Sequence, residues 1–305
     1  MNGYGGSILR VNLTEGKITR LPTPADVIRD YIGGRGFGAY FLYHEVPAHA
    51  DPLGPENKLI ISTGPLSGLM IPGAGKCDFS TKSPLTGGYA GSSLGGLFTA
   101  EMKYAGIDSI ILEGISPKPV YLFIDDRKAE LRDASEYWGK GSITVERMFK
   151  EQLGEAFQVA VIGPGGENLV SYASINHDYG REAGRGGVGA VMGSKRLKAI
   201  VLHGTQSVQV ADLAGYRKAG MALFKACKDS DGLKPWQDYG TTIVTSWCDE
   251  VGALPTRNFS AGSFEGGPTL YGPVMREQIV ITDKGCFGCP SPCGKYSRID
   301  RKSVV

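Results

Sequence analysis

Apolar and polar residues alternate twice near the start of the chain, in SILRVNLTEGKITRL, on either side of Thr14-Glu15-Gly16-Lys17. A period of two around a glycine-bearing break predicts a β-hairpin. ADVIRDYIGGRGFGAYFLYHEV changes to a helical period, interrupted by glycines from Gly33 to Gly38, and predicts helix, break, helix. KLIISTGPL is an apolar run too short for a helix and predicts a buried strand. KCDFSTKSPLTGGYAGSSLGG predicts a strand and a long Gly/Ser/Thr loop, with the helix LFTAEMKYAG behind it. SIILEG and VYLFIDDRKAELRDA predict a strand and a hairpin, SITVERMFKEQLG a helix, and QVAVIGPGG and LVSYASI two more strands. From Asp212 the pattern becomes helical, in ADLAGYRKAGMALFKACKD and TTIVTSWCDEVG, which places a domain boundary near Val208 to Asp212.

Two segments echo each other. AGIDSIILEGISPKPV and SKRLKAIVLHGTQSVQV each combine a buried strand, a glycine and an extended stretch. Each follows a glycine-rich loop, GGYAGSSLGG in one case and GREAGRGGVGAVMG in the other. The echo predicts two sheets, each presenting one glycine loop.

Composition changes this picture in a few places. Of 305 residues 41% are apolar and 21% charged, which suits a folded protein with a substantial core. The net charge of +2 is spread evenly and points to neither nucleic acid nor a membrane surface as partner. Glycine, at 45 residues, is about twice its usual share, and it lies between well-patterned segments rather than in linkers. No apolar run approaches the ~18 residues of a membrane span, and the start lacks the pattern of a signal peptide, so a cytoplasmic location is expected.

Six cysteines, three of them at Cys286, Cys289 and Cys293, do not resemble a secreted disulfide framework. C-x2-C-x3-C with no second distant pair suits a [4Fe–4S] cluster better than zinc, because all four histidines lie far upstream. Cys77, Cys227 and Cys248 are candidates for a fourth ligand, although free cysteines commonly serve as small core residues. In GREAGRGGVGAVMGSK, Arg181 and Arg185 alternate with glycines ahead of a helix, an arrangement able to bind phosphate or another anion. It is not a Walker motif. GPLSGLMIPGAGKCDFSTKSPLTGG repeats the theme with Lys76 and Lys82. His177 beside the arginine loop reads as structural before it reads as an acid or base, and Asp125-Asp126 as turn residues.

Taken together, GGSILRVNLTEGKI, DPLGPENKLIISTGPLSG, TKSPLTGG, MKYAGIDSIILEG, IGPGGENLV, AGRGGVGAVMGSKRLKAI and the cysteine cluster resemble the tungsten-dependent aldehyde:ferredoxin oxidoreductase family. The resemblance runs in order over residues 3 to 298. It implies an α+β fold: an N-terminal domain of two β-sheets related by a pseudo-twofold, with flanking helices, over residues 1–210. The start of a mostly helical domain carrying the cysteine motif would follow over 211–299. Residues 300–305, DRKSVV, match an in-frame reading of a common sequencing-adapter string and are expected to be a scar. The chain is expected to be the N-terminal half of a longer enzyme, inactive alone and holding iron loosely.

The resemblance further implies a tungsten or molybdenum bis-pterin, a [4Fe–4S] cluster and a magnesium ion bridging the pterin phosphates. Pterin contacts would fall on Lys76, Ser93 and Gly95 in the first loop and on Arg181, Glu182, Ala183, Gly184 and Arg185 in the second. Cys286, Cys289 and Cys293 would be cluster ligands, with the fourth cysteine and the acid–base residues downstream. Lys76 stands where an arginine is typical and Ser93 where an asparagine is typical; both departures bear on the magnesium site. The implied reaction is oxidation of an aldehyde to a carboxylate with electrons passed to ferredoxin, in a protein that in many relatives is a homodimer. Alternatives are the tungsten subunit of a benzoyl-coenzyme A reductase, a molybdenum-containing member, or a non-catalytic iron–sulfur or zinc-binding domain.

Overall fold

The computed structural model describes residues 1–299; the expected scar at 300–305 lies outside the described residues. Two compact units are present, one made of residues 1–69 and 74–213, the other, among the described residues, of 70–73 and 214–299.

The first half of the first unit holds β1 (Ser7–Asn12), β2 (Lys17–Pro22), α1 (Ala25–Tyr31), α2 (Arg35–Glu45), β3 (Leu59–Ser62), β4 (Cys77–Lys82), β5 (Tyr89–Leu94), α3 (Phe98–Tyr104) and β6 (Ile107–Glu113). The second half holds β7 (Val120–Asp125), β8 (Lys128–Asp133), α4 (Ser142–Leu153), β9 (Gln158–Val161), α5 (Pro164–Glu167), β10 (Ile175–His177), β11 (Arg181–Ala183), α6 (Val188–Ser194) and β12 (Leu197–His203). One six-stranded sheet has the order β2-β1-β6-β3-β4-β5, and the other, read in the same sense, β8-β7-β12-β9-β10-β11. Each strand of the second sheet occupies the place of the strand six earlier in the first. β1 and β6 are parallel, as are β7 and β12, while β3 and β9 run antiparallel to their central neighbours. The duplication expected from the sequence echo is therefore present, with α3–β6 and α6–β12 as its two copies.

Strand alternation explains the layers. Leu9, Val11, Leu59, Ile61, Ile110 and Leu112 point to one core shared with Val120, Leu122, Ile124, Ile200 and Leu202 of the second sheet. Their neighbours Ile8, Ile60 and Ile111 face the opposite way and pack under Val27, Ile28, Phe37 and Phe41 of α1 and α2. On the far side, Tyr121, Phe123, Val159 and Val201 pack under Val145 and Phe149 of α4. With both faces covered, the central strands read as continuous apolar runs, which is why SIILEG and KLIIS stand out in sequence.

Three local readings are corrected. YAGSSL, expected as loop, is β5, fully paired with β4 from Cys77↔Leu94 to Lys82↔Tyr89. Small residues weaken strand propensity, and here the partner strand overrides it. LVSYASI is mostly turn, with the strand starting only at Ile175. The glycine break before α2 ends at Gly34, so that Gly36 and Gly38 lie inside the helix. Gly38 is needed there: a Cβ would sit 2.0 Å from Ser80 Oγ and 2.4 Å from Ser80 Cβ, so only glycine lets α2 lie this close to β4.

The second unit contains α7 (Leu213–Lys228), α8 (Lys234–Tyr239), α9 (Thr245–Glu250) and α10 (Gly272–Gln278), joined by short 3-10 turns. It ends in an antiparallel hairpin of β13 (Val280–Lys284) and β14 (Gly294–Ser297). TTIVTSWCDEVG, expected as one helix, divides into a 3-10 turn, Gly240–Val244, and α9.

Because the clash at Gly38 involves a β-carbon as well as a hydroxyl, Gly38→Ala is expected to cost about 1–3 kcal/mol through displacement of α2. Chemical denaturation of the two proteins measures it; an unchanged midpoint would show that the close approach is dispensable.

Candidate functional site

The first glycine loop lies at the end of β5, and the second at the end of β11, the duplicate of β5. The duplication therefore places them at equivalent positions, and the second loop packs along β5 and the turn before it. Arg185 N donates to Ser92 Oγ at 3.0 Å, and Ser83 Oγ donates to the Gly186 carbonyl at 2.8 Å. Gly186 crosses β5 so closely that a Cβ would stand 2.5 Å from that of Ala90.

Pleating sorts the first loop's residues. Asp78 pairs across the hairpin with Ser93, while Cys77, paired with Leu94, points into the core. Ser93 and Lys76 are exposed, and Gly95 is half-buried just beyond the strand. In the second loop Arg181, Glu182 and Ala183 belong to β11, and Gly184 and Arg185 follow it, exposed. Glu182 accepts a hydrogen bond from Asn176 Nδ2 at 2.6 Å. Arg181 Nε lies 3.6 Å from Asp178 Oδ2, and only 13% of its side chain is exposed. Ala183 is fully buried.

His177 ties the two loops together. Its imidazole is fully buried, with Nδ1 2.9 Å from the Val159 carbonyl. Its Nε2 accepts the amides of both Leu97 and Phe98 at 3.2 Å, immediately behind Gly95-Gly96. Two N–H donors at Nε2 and a carbonyl at Nδ1 allow one state, the neutral ring with its proton on Nδ1. Burial pulls its pKa down to about 4. Gly96, at φ 107, leaves the room, since a Cβ there would be 2.5 Å from the ring. His177 is thus a structural group, as its sequence position suggested.

Three participants were not singled out from sequence. Glu146 of α4, fully buried, accepts the amides of Asp178 and Tyr179 at 2.8 and 2.9 Å and so holds the turn between β10 and β11. Burial raises its pKa. Both turn residues have positive φ, 50° and 59°, a conformation in which their amides converge on one carboxylate. Asp78 is 4% exposed and Arg35 Nε stands 3.1 Å from its Oδ2. The one legible signal was the placement of Arg35 between glycines; nothing in the local pattern marks Glu146 or Asp78.

Cys286, Cys289 and Cys293 lie on the loop joining β13 to β14, with Cys289 N donating to the Cys286 carbonyl at 3.1 Å. All three are free thiols; Cys286 and Cys289 are half-buried and Cys293 exposed. Among the described residues, no three His, Cys, Asp or Glu side chains form a group able to hold a metal ion. The loop's thiol donors suit a soft thiolate-bound centre in kind, without being gathered around one point. Cys77 is not a candidate ligand: it is buried in the inter-sheet core, and burial pushes its thiol up to about 12.

The chemistry of His177 dictates an acid response. Its folded value of about 4 lies below the ordinary 6.5, so between these values the unfolded chain takes up a proton that the folded chain refuses. This contribution to stability is complete above pH 6.5 and is lost as pH falls toward 4. His177→Phe would leave the Leu97 and Phe98 amides without this acceptor, at a cost of about 1–3 kcal/mol at neutral pH. Denaturation curves across this pH range should show the wild-type excess over the variant shrinking on acidification; a constant difference would contradict the neutral-ring assignment.

With this geometry in place, comparison with known proteins is direct. Residues 8–204 match the model of the aldehyde ferredoxin oxidoreductase N-terminal domain, and residues 218–304 that of domains 2 and 3 of the same enzyme. The chain is 46% identical over 299 residues to the tungsten-containing aldehyde ferredoxin oxidoreductase of Pyrococcus abyssi, covering 97% of this chain and 49% of that protein. It is 37% identical to the WOR-like subunit of an aliphatic sulfonate oxidoreductase of Pyrococcus furiosus, with 97% and 50% covered. Among solved structures, the active-site complex BamBC of benzoyl coenzyme A reductase, in complex with 1,5-dienoyl-CoA, superimposes with a TM-score of 0.82 at 33% identity, covering 98% of this chain and 48% of that one. The chain spans about half the length of the curated relatives it matches. The duplicated two-sheet unit and both family matches lead to one conclusion: the chain belongs to the aldehyde ferredoxin oxidoreductase family.

Proposed function

We propose that this chain supplies the pterin-binding base of a tungsten-dependent aldehyde:ferredoxin oxidoreductase. The observation that carries the reading is the packing of the second glycine loop along β5, which gathers Ser93 of β5, Lys76 just before β4, Arg181 of β11 and Arg185 of that loop in one region. Exposed glycine backbone and cationic side chains suit a large, flat, phosphorylated cofactor. Gly95 and Gly184 would admit the cofactor close to the backbone, while Lys76, Arg181 and Arg185 would meet its anionic groups. His177 and Glu146 hold the loops in register for it.

When bound, a tungsten or molybdenum bis-pterin would supply the two-electron oxidation of an aldehyde to a carboxylate. Cys286, Cys289 and Cys293 would hold a [4Fe–4S] cluster as three of its thiolate ligands, for single-electron transfer to ferredoxin. Ser93 would offer its hydroxyl to a magnesium ion bound with the cofactor, which would help neutralise its phosphates. The protein would work in the cytoplasm. Among the described residues, no helix is long and apolar enough to cross a membrane.

The structural likeness to a benzoyl coenzyme A reductase complex motivates a second reading, reduction of an aromatic thioester on the same scaffold. Elemental analysis and turnover separate the two. The purified full-length protein should contain tungsten, iron and pterin and should reduce ferredoxin with a short aldehyde. Ferredoxin-coupled turnover of benzoyl-CoA and not of aldehydes would favour the second reading. A preparation reconstituted with iron and sulfide that holds neither pterin nor group 6 metal would overturn both. Cys289→Ser should lower iron content while leaving pterin content intact.

A further inference from the structure

The face that carries Ser93 holds a second cation. On β4 and β5 the residues Asp78, Ser80, Gly91 and Ser93 share one side of the hairpin, Asp78 opposite Ser93 and Ser80 opposite Gly91. Lys76 immediately precedes β4 and is exposed. The first residue of α2, Arg35, reaches over this side and sets its Nε 3.1 Å from Asp78 Oδ2. Asp78 is itself buried; Ser80 Oγ donates to its other oxygen at 2.6 Å, and Ser93 Oγ lies 3.5 Å from the oxygen that Arg35 meets.

Such a buried carboxylate fixes the guanidinium by one edge. The contact engages Nε, and 66% of the Arg35 side chain stays open to solvent beside Ser93. Glycines keep this edge clear: a Cβ at Gly91 would be 3.3 Å from Arg35 Nε and 2.9 Å from Asp78 Oδ1. Gly38 in turn lets α2 lie against Ser80 and so bring Arg35 within reach. Arg35 and Asp78 cancel in charge, and Lys76 adds a positive charge just ahead of β4.

We propose that Arg35 is an anion-binding residue, presenting its planar fork beside Ser93 and Lys76 to a phosphomonoester, with Asp78 as its positioning residue. An ammonium at position 76 contributes a point charge but no planar pair of donors; Arg35 provides that pair from the neighbouring helix. The identification of the phosphate as that of a pterin rests on the function proposed above.

The test separates the anion site from the cofactor. Inorganic phosphate is titrated into the purified chain and followed by 31P NMR, for wild type, Arg35→Lys and Arg181→Gln. Pterin retained on purification is measured independently, as its fluorescent oxidation product. Arg35→Lys keeps a cation for Asp78 and should keep the fold, checked by circular dichroism and thermal midpoint. It should weaken phosphate binding about tenfold, the worth of one charge-assisted pair. Arg35→Gln, for which the Asp78→Asn background removes the unpaired carboxylate, should weaken it at least as much. Equal phosphate affinity in wild type and Arg35→Lys overturns the proposal, as does a wild type that binds no phosphate. Phosphate binding that depends on Arg35 without any retained pterin supports the anion site and removes the pterin reading.

Discussion

The candidate site depends on one hydrogen-bonding centre, the neutral imidazole of His177. Through Val159 it is fixed to the second sheet, and through the amides of Leu97 and Phe98 to the segment behind the first glycine loop. Two loops rich in glycine have little side-chain packing of their own and a large conformational entropy to lose. A buried ring with three hydrogen-bond partners confines both at once. Glu146, whose Oε1 lies 3.9 Å from His177 Nδ1, holds the turn that follows by gathering the amides of Asp178 and Tyr179. The base proposed above for a flat cofactor is thus held by buried groups of the framework.

Duplication supplies the frame, and the two copies have diverged in charge. Asp108 is the second residue of β6, after α3, and Lys198 the second residue of β12, after α6. Asp108 is buried with Lys103 and takes the amides of Gly5 and Gly6 at 2.8 Å. Lys198 is buried with Glu167 and donates to the Lys140 carbonyl at 2.8 Å. Each copy anchors a connecting segment to its central strand with a buried ion pair, but with the signs reversed. The turns ahead of these strands are left-handed in both copies, Gly106 at φ 73 in one and Arg196 at φ 54 in the other. Glycine adopts this conformation freely; Arg196 does so while bonding the Pro117 carbonyl. Lys195, fully buried, adds a link between copies by donating to the Asn57 and Gly114 carbonyls at 2.6 and 3.2 Å, and burial brings it down to about 7.

Glycine abundance, an outlier in composition, resolves into distinct uses. Gly96 makes room for an imidazole, Gly186 for β5, and Gly38 for the approach of a helix to a strand. None of these is a loop lubricant. They are places where backbone meets another group within the radius of a β-carbon.

What the sequence determined by itself was local and periodic. Alternation in SILRVN and KITRLP, the apolar runs of the central strands and the echo between residues 105–120 and 194–210 point to a duplicated two-sheet architecture. These features express short-range sterics and one-dimensional burial, so they survive in a linear string. The glycine loops and the cysteine spacing were legible for the same reason, as clusters within a few positions. Tertiary structure alone decided that YAGSSL is a strand, that His177 is held neutral, and that Arg35, Asp78 and Ser93 share one face. Each of these rests on partners far away in sequence: a neighbouring strand that overrides propensity, amides from another sheet, a carboxylate beneath a helix. Hydrogen bonds and ion pairs act across space within about 3 Å, and no pattern along the chain encodes which distant groups the fold brings that close.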